Sequence, residues 1–249
     1  MNLQPIGVVR SGYHERKKVP RLGGAASVEI DPKFADGLHR WEKHSHLWVL
    51  VWLDKAERDV LQVIPRGISE RTEDNLHGVF SVRSPVRPNP IGMTLARIAG
   101  VDGRRIDFDR LDFMDGTPVI DLKPYFLSRD AVFAAKNEQI GKPASREALR
   151  ESLGMQAFNF HGEDHRDLEL AADMFTEFRA GLLDYIEPAK LEIVVPLERP
   201  VLADAFMGMA RVTPGRNTLR FGAGNTVKIS SETASVEFEL TEGGYRRGG

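Results

Sequence analysis

The sequence contains no cysteine among its 249 residues. Disulfide bonds, thiolate nucleophiles and cysteine-based zinc sites are therefore excluded. It also has no apolar run near the eighteen or so residues that a membrane-spanning helix requires. The N-terminal segment MNLQPIGVVR lacks the long apolar region of a signal peptide. Together these absences predict a cytoplasmic protein without a membrane segment.

Neither sign of charge is in large excess. Lys and Arg total 34 against 36 for Asp and Glu, so the overall charge does not point to nucleic acid. Charge is nevertheless concentrated locally, because RSGYHERKKVPR, residues 10–21, combines a cluster of basic residues with a single acid and Tyr13. Such a loop suits phosphate groups and a stacked base. The alternative is a solvated surface loop.

Short strand-like segments separated by turn residues dominate the first 125 residues. Asp31-Pro32 is typical of a helix start and predicts one short helix through Leu38. Asp102-Gly103 predicts a hairpin turn, and LWVLVWL predicts a strand buried on both faces. The predicted strands cover residues 27–30, 47–53, 79–82, 93–98 and 105–108. Many short strands with one brief helix predict a mainly β domain, a small barrel or sandwich.

The second half has a mixed pattern that predicts an α+β domain. Helices are predicted over 145–153, along an apolar stripe from 168 to 186, and over 201–210. Strands are predicted over 191–198, 218–221, 226–230 and 235–240. The resulting organisation is a β-barrel domain over 1–135, an α+β domain over 145–241 and a flexible tail over 242–249.

Two stretches combine charge with proline or turn residues. In RSPVRPNPIG, residues 83–92, three prolines stiffen the backbone around Arg83, Arg87 and Asn89. A stiff backbone loses little entropy when it positions arginine for a carboxylate, a phosphate or a base. The alternative is a surface loop with solvated arginines. In LDFMDGTPVIDLKPYF, residues 111–126, charged side chains surround the Asp115-Gly116 turn, and we expect the two stretches to form two walls of one pocket.

With PIGVVRS, VPRLGG and HSHLWVLVWL, these stretches resemble the TsaA-like domain of the TrmO-type tRNA (adenine-N6)-methyltransferases over about the first 130 residues. The resemblance implies a small, homodimeric β-barrel that binds S-adenosylmethionine near the subunit interface. It also implies methylation of N6 of threonylcarbamoyl-adenosine at position 37, in the anticodon loop of tRNA. Asp54-Lys55 stands where the bacterial enzymes often carry His-Gln. The implied cofactor contacts, several through backbone groups, are Pro20, Arg21, Leu22, Arg83, Met93, Asp109, Arg110, Leu111 and Asp112.

The supposed reaction suggests further roles. Methyl transfer from a sulfonium depends mainly on positioning, but a ureido N6 is a poor nucleophile and needs a group that accepts or orients its proton. We favour Asp115, although an Asp-Gly turn explains this residue without catalysis. Arg87 is expected to form a bidentate pair with the threonylcarbamoyl carboxylate, and Asn89 to hydrogen-bond a base. The candidates for the proton are Asp115, Asp121, Lys123 and Tyr125.

The second half more weakly resembles the FmdE-like domain found in formylmethanofuran dehydrogenase-associated proteins. That family commonly binds metal through His and Cys, and because this chain has no Cys we predict no metal site. His161 and His165, with Glu163 and Asp164, retain the donors for a divalent ion. The alternative is a helix N-terminus with a cap and acidic residues.

Two functional hypotheses of different classes follow. One is an S-adenosylmethionine-dependent methyltransferase, acting on tRNA or on a small metabolite. The other is a non-catalytic sensor or scaffold that binds S-adenosylmethionine.

Overall fold

A computed structural model describes residues 2–248 and divides into two units. The first unit runs to Pro65 and resumes over Glu70–Ala134. The second unit comprises Arg66–Ser69 and continues from Ala135. Within the described residues, no helix has both the length and the apolar character needed to cross a membrane.

The first unit is a closed antiparallel barrel, which confirms the predicted β-barrel. Its six strands follow the order β1-β2-β7-β6-β3-β8, and each pairs with two neighbours. Outside the barrel lie the two-stranded ribbon β4–β5 and the short helix α1. The elements are β1 Gly7–Arg10, β2 Gly24–Ile30, β3 His46–Trp52, β4 Gln62–Val63, β5 His77–Gly78, β6 Ile91–Asp102, β7 Arg105–Leu111, β8 Pro118–Pro124 and α1 Leu127–Asp130.

Side chains on β3 alternate between the barrel interior and its outer surface. Leu47, Val49 and Val51 are buried in the core, whereas Trp48 and Trp52 are only partly covered on the outside. The prediction that this strand is buried on both faces is therefore wrong. A barrel strand has one inward face, and its apolar outer side chains mark an outer apolar surface instead.

The structure differs from two further local predictions, a strand over 79–82 and the helix after Asp31. The predicted strand over 79–82 is wrong, because β5 ends at Gly78 and Ser81 donates its backbone N–H to the Gly78 carbonyl, 2.9 Å away, which closes a turn. The helix after Asp31 is a 3₁₀ helix, Pro32–Leu38, whose first turn is capped by the Asp31 carboxylate. In the β6–β7 hairpin, Gly103 adopts φ +56°, which is a conformation that favours glycine.

The second unit is α+β, as predicted. Its five-stranded sheet has the order β10-β9-β11-β12-β13, in which β9 and β10 are parallel and the other pairs are antiparallel. Phe175 on α3 contacts Phe178 and Phe206 in the core. The elements are α2 Arg146–His161, α3 Arg166–Leu182, β9 Leu191–Pro196, α4 Pro200–Ala210, β10 Leu219–Gly222, β11 Thr226–Ser231, β12 Ser235–Thr241 and β13 Gly244–Arg247.

The segment predicted as a flexible tail forms a strand over Gly244–Arg247. It pairs with β12, and the Tyr245 ring packs against the Phe238 ring, with the two ring centroids 5.1 Å apart. The Tyr245 hydroxyl donates to Glu177 at 3.2 Å, and burial, reinforced by this carboxylate, raises the pKa of Tyr245 to about 12. The sequence GGYRRGG is rich in glycine and arginine, which is typical of a flexible tail. Its one aromatic residue, Tyr245, nevertheless anchors the strand to the core. Residue 249, also within the predicted tail, lies outside the described residues.

Candidate functional site

One end of the barrel brings together two of the segments that were expected to contact the cofactor. Gly23 closes the turn of VPRLGG by donating its N–H to the Pro20 carbonyl at 3.0 Å, with φ +79°. A Cβ at Gly23 would lie 2.8 Å from the carbonyl carbon of Leu111, so only glycine permits this approach. The turn formed by Pro20, Arg21 and Leu22 therefore lies directly beside Leu111 and Asp112.

The strands β6 and β7 separate beside this turn. Their last pair toward the site is Ile98 with Phe108. Beyond it, the Asp109 carboxylate accepts the backbone N–H groups of Arg97 at 2.8 Å and Arg110 at 2.9 Å. The Asp109 carboxylate thus satisfies backbone donors that the missing strand pairing leaves open.

The two stretches expected to form pocket walls meet where β6 begins. The Thr94 hydroxyl donates to the Asp112 carboxylate. A Cβ at Gly92 would lie 3.0 Å from the Phe113 ring, so glycine leaves room for that ring at the end of the barrel. Met93, between these two residues, points outward and is 43% exposed. Arg83 is exposed on the preceding loop.

Asp115 has a well-defined structural role. Its Oδ1 accepts the backbone N–H of Ser11 at 3.0 Å, and its own N–H donates to the Tyr13 carbonyl at 2.8 Å. Its Oδ2 lies 3.9 Å from Nδ1 of His14, a side chain that is 76% exposed. Asp115 thus ties the turn after β7 to the end of β1 and keeps one oxygen toward an exposed imidazole.

An open groove of about 560 Å³ adjoins this end of the barrel, and Asp115 lines it. The groove is continuous in sequence with the cofactor segments, since Ala25 follows Gly24 and Phe108 precedes Asp109. Its other lining residues are Arg10, Ser11, Gly12, Ala26, Ser27, Ala99, Arg105 and Asp107.

The three predicted catalytic side chains are not brought together within one subunit. Lys123 lies five residues along β8 from Pro118, roughly 16 Å at the rise per residue of a strand. It forms an ion pair with Asp121 at 2.7 Å. Tyr125 follows the same strand and contacts Trp48, with ring centroids 6.2 Å apart. The sequence pattern of LDFMDGTPVIDLKPYF did not show that its residues Pro118–Pro124 form one extended strand, which carries Lys123 away from Asp115.

Arg87 is engaged by its own loop. Its Nε donates to the Ser84 carbonyl at 2.8 Å, and Nη2 donates to the Val79 and Val82 carbonyls, each at 2.5 Å. Each bidentate edge of a guanidinium uses at least one Nη2 or Nε hydrogen. The expected bidentate pair with a substrate carboxylate is therefore not available in this conformation. Asn89 is exposed on the same loop, and its carbonyl accepts the Ile91 N–H at 2.7 Å.

Sequence reasoning missed the contribution of RSGYH to this site. The Tyr13 hydroxyl packs so closely on Gly24 that a Cβ there would lie 2.3 Å from it. Ser11 hydrogen-bonds Asp115 through its N–H, and its hydroxyl donates to the Phe113 carbonyl at 3.1 Å. The sequence predicts for this segment a basic loop that suits phosphates and a stacked base, or a solvated surface loop. The segment begins at the end of the family block PIGVVRS, and this position could have indicated that it belongs to the site.

In the second unit, the histidines have structural partners. His161 Nδ1 lies 3.0 Å from Asp204 Oδ2, and the His165 Nδ1 accepts the Asp167 N–H at the start of α3. No cluster of three or more potential metal-ligating side chains occurs among residues 2–248. His165 is therefore a helix cap, which agrees with the alternative interpretation of this segment.

Residues 8–131 match the family model described as tRNA-methyltransferase O N-terminal domain. An S-adenosyl-L-methionine-binding protein of Archaeoglobus fulgidus is 42% identical over 143 residues, which cover 56% of this chain and 99% of that protein. A second Archaeoglobus fulgidus protein, named a probable S-adenosyl-L-methionine-binding protein, is 42% identical over 168 residues, 65% of this chain and 44% of its own length.

The tRNA (adenine(37)-N6)-methyltransferase of Escherichia coli is 38% identical over 137 residues. The match covers 49% of this chain and 56% of that enzyme. The chain thus spans about half the length of this relative and of the longer Archaeoglobus protein.

Proposed function

The chain belongs to the family of the tRNA-methyltransferase O N-terminal domain, and on this premise we propose that it is an S-adenosylmethionine-dependent methyltransferase that modifies N6 of adenosine 37 in tRNA. The finer proposal is that this adenosine carries the threonylcarbamoyl group. The observation that carries the proposal is the close approach of Gly23 to Leu111, which places two implied cofactor segments side by side.

The residues at this end of the barrel suit a cationic nucleoside. Asp112 supplies a carboxylate, the glycine turn presents backbone groups beside Leu111, and Arg83 is exposed to pair with a carboxylate. Asp109, which accepts two backbone N–H groups and pairs with the Arg110 guanidinium at 3.2 Å, holds this segment in place. The cofactor supplies an electrophilic methyl group on a sulfonium when it is bound. Orientation of the two reactants is the main contribution that we assign to this part of the protein.

We assign to Asp115 the role of accepting the proton from N6. Its Oδ1 is held by the Ser11 N–H, so the carboxylate has a defined direction, and Oδ2 lies 3.9 Å from Nδ1 of His14. Asp115 also lines the groove. Lys123 and Tyr125 lie too far along β8 to act on the same atom as Asp115 within one subunit. We therefore retain Asp115 alone as the proton acceptor.

A homodimer forms part of the proposal. The outer surface of β3 and β6 carries apolar side chains opposite one another, because Trp52 pairs with Ile91, Leu50 with Met93 and Trp48 with Leu95. Ile91 and Met93 are 38% and 43% exposed. A contiguous exposed apolar surface of this kind marks an interface. A second copy on this surface would also enclose Met93, an implied cofactor contact.

A second candidate is cofactor binding without methyl transfer. The two Archaeoglobus relatives are named as binding proteins rather than as enzymes. The hydrogen bond from Ser11 to Asp115 also accounts for that carboxylate without catalysis.

Transfer of labelled methyl from S-adenosylmethionine to tRNA separates the two candidates. We expect label in tRNA that carries threonylcarbamoyl-adenosine, and none in the same tRNA without this group. Asp115→Asn should lower the transfer rate by about 10²–10⁴-fold, the usual contribution of a positioned proton acceptor. An asparagine oxygen still accepts the Ser11 N–H, so the fold should be retained.

Asp31→Asn is the matched control, because Asp31 also accepts a backbone N–H, at 3.1 Å, but lies outside the site. Its transfer rate should equal that of the wild type. Cofactor binding without transfer to either tRNA would favour the binding protein. Equal transfer to both tRNAs would contradict the threonylcarbamoyl specificity alone.

A further inference from the structure

An aromatic side chain stands almost fully in solvent on the loop between β5 and β6. Phe80 is 81% exposed, whereas the preceding Val79 is 1% exposed. Burying a phenylalanine stabilises a fold by about 1.5–3 kcal/mol, and at this exposure Phe80 contributes little of that. The packing of the barrel therefore does not depend on this ring.

The backbone that carries Phe80 is tightly held. Phe80 is the third residue of a turn closed by Ser81, whose N–H and hydroxyl both donate to the Gly78 carbonyl, at 2.9 and 2.8 Å. Val79 anchors the turn by donating its N–H to the Leu61 carbonyl at 3.0 Å. Exposure of this ring is therefore built into the loop and does not result from a loose segment.

Arg87 braces the same turn from the other side. Its guanidinium bonds the carbonyls of Val79 and Val82, which flank Phe80, and that of Ser84. The Arg87 backbone N–H also donates to the Glu57 carbonyl at 3.2 Å. Because the backbone that carries the ring is held in this way, only the side-chain torsions of Phe80 have to be ordered when a flat partner stacks on it.

The residues that follow the turn along the chain carry only positive charge, which favours an anionic partner. From Gly78 to Val101 the sequence contains arginines and no acidic residue. Arg83, three residues after Phe80, is exposed. The combination of an aromatic face with nearby cations is the recognition mode of single-stranded nucleic acid, in which bases stack and phosphates pair. The polar neighbours Ser81 and Arg83 distinguish this turn from the contiguous apolar surface of β3 and β6.

We propose that Phe80 is a stacking platform for an unpaired nucleobase of the RNA substrate, next to the reacting adenosine or that adenosine itself. The proposal rests on the proposed function, since it assumes an RNA substrate. It assigns Arg87 to positioning the platform through the backbone of the turn.

The test measures binding of tRNA that carries threonylcarbamoyl-adenosine, at fixed salt, to the wild-type protein and to Phe80→Ala, Phe80→Leu and Phe80→Trp. Stacking contributes about 1–3 kcal/mol per base, which corresponds to an affinity loss of about 5- to 150-fold. We expect that loss for Phe80→Ala and Phe80→Leu, and wild-type affinity for Phe80→Trp. The salt dependence of binding should be unchanged in all three, because no phosphate contact is removed.

Two further measurements make the outcome decisive. The affinity for S-adenosylmethionine and the sedimentation mass should be the same in Phe80→Ala as in the wild type. Leu127→Ala, which removes another exposed apolar side chain, 74% accessible, should leave tRNA affinity unchanged.

Wild-type affinity in Phe80→Leu would overturn the proposal, because leucine has no π face. A parallel loss of cofactor affinity or of dimer mass would also overturn it, and would assign the ring to the cofactor or to the partner subunit. If the wild type itself neither binds nor methylates tRNA, the proposed function fails, and this result is distinct from an unaltered Phe80→Ala variant.

Discussion

At the scale of single residues, several side chains that suit a ligand are used first by the protein's own backbone. Asp109 accepts two backbone N–H groups, Asp115 accepts one, and Arg87 donates to three carbonyls. Loops contain many backbone groups without a strand or helix partner, and charged side chains satisfy them. The chemistry of a residue type is therefore readable from sequence, but the atoms that remain available to a ligand are not.

His46 provides a test of electrostatics at the residue scale. It lies on the outer side of β3, beside Arg97 on β6, Asp109 on β7, Tyr125 after β8 and the hydroxyl of Ser45. Burial lowers its pKa from 6.5; Arg97 acts in the same direction and Asp109 opposes them. The unfolded chain therefore binds this proton more readily than the folded chain, and His46 favours the folded state less as the pH falls below 6.5.

We expect His46→Gln to reduce the loss of unfolding free energy between about pH 7 and about pH 5. Urea denaturation of both proteins at the two pH values measures this difference. His39→Gln, at an exposed position, is the control and should keep the wild-type pH dependence. An identical slope in His46→Gln and the wild type would contradict the assignment.

At the scale of elements, the site depends on where strands begin and end. The VPRLGG turn leads directly into β2, and the Asp109–Asp112 segment completes and follows β7. Because β2 and β7 are neighbours in the barrel, Gly24 pairs with Leu111 and the two segments meet. Pairing of strands that are far apart in sequence thus determines which segments form one site.

Gly23→Ala tests this close approach. Left-handed backbone costs a non-glycine residue about 1–2 kcal/mol, and the contact with Leu111 adds about 1–3 kcal/mol of overpacking. We expect the free energy of unfolding to fall by the sum of these two costs, and S-adenosylmethionine affinity to fall with it. Denaturant unfolding and calorimetric titration measure the two quantities.

Gly103→Ala separates the two costs. Gly103 also has positive φ, at +56°, but a Cβ there meets nothing within 4 Å. It should lose only about 1–2 kcal/mol and keep its cofactor affinity. Equal destabilisation by both substitutions would mean that the approach of the two segments is not tight.

At the scale of the whole molecule, the proposed homodimer predicts that assembly and cofactor binding are linked. Met93→Glu places a charge on the apolar outer surface of β6, and we expect the sedimentation mass to fall from that of two chains to that of one, 27.8 kDa. Cofactor affinity should fall as well, because Met93 is an implied cofactor contact that a second copy would enclose. The measurement is sedimentation equilibrium followed by cofactor titration.

Leu3→Glu introduces the same charge at another exposed apolar position, 44% accessible, and should leave the mass unchanged. Full cofactor binding in a verified Met93→Glu monomer would show that the site is complete within one subunit.

Local patterning in the sequence was sufficient for the barrel and the α+β unit, since alternation, caps and turns are properties of neighbouring residues. It located α4 to within one residue and gave the start of β7 correctly, because cap and turn residues mark these points, but β6 and β7 extend beyond the predicted 93–98 and 105–108. It failed for the turn at Val79 and for β13, where a few apolar residues have no local signature that separates a strand from a turn or a tail.

The sequence by itself determined the family blocks and therefore the candidate cofactor segments, because these depend on residue identity in order along the chain. Only the tertiary structure decided which blocks meet. Strand pairing in the barrel placed VPRLGG against Leu111 and separated Asp115 from Lys123 and Tyr125. Hydrogen bonds within its own loop directed the Arg87 guanidinium to backbone carbonyls. These outcomes depend on strand pairing and on competition for backbone hydrogen bonds. Both are determined by contacts between residues that are distant in sequence.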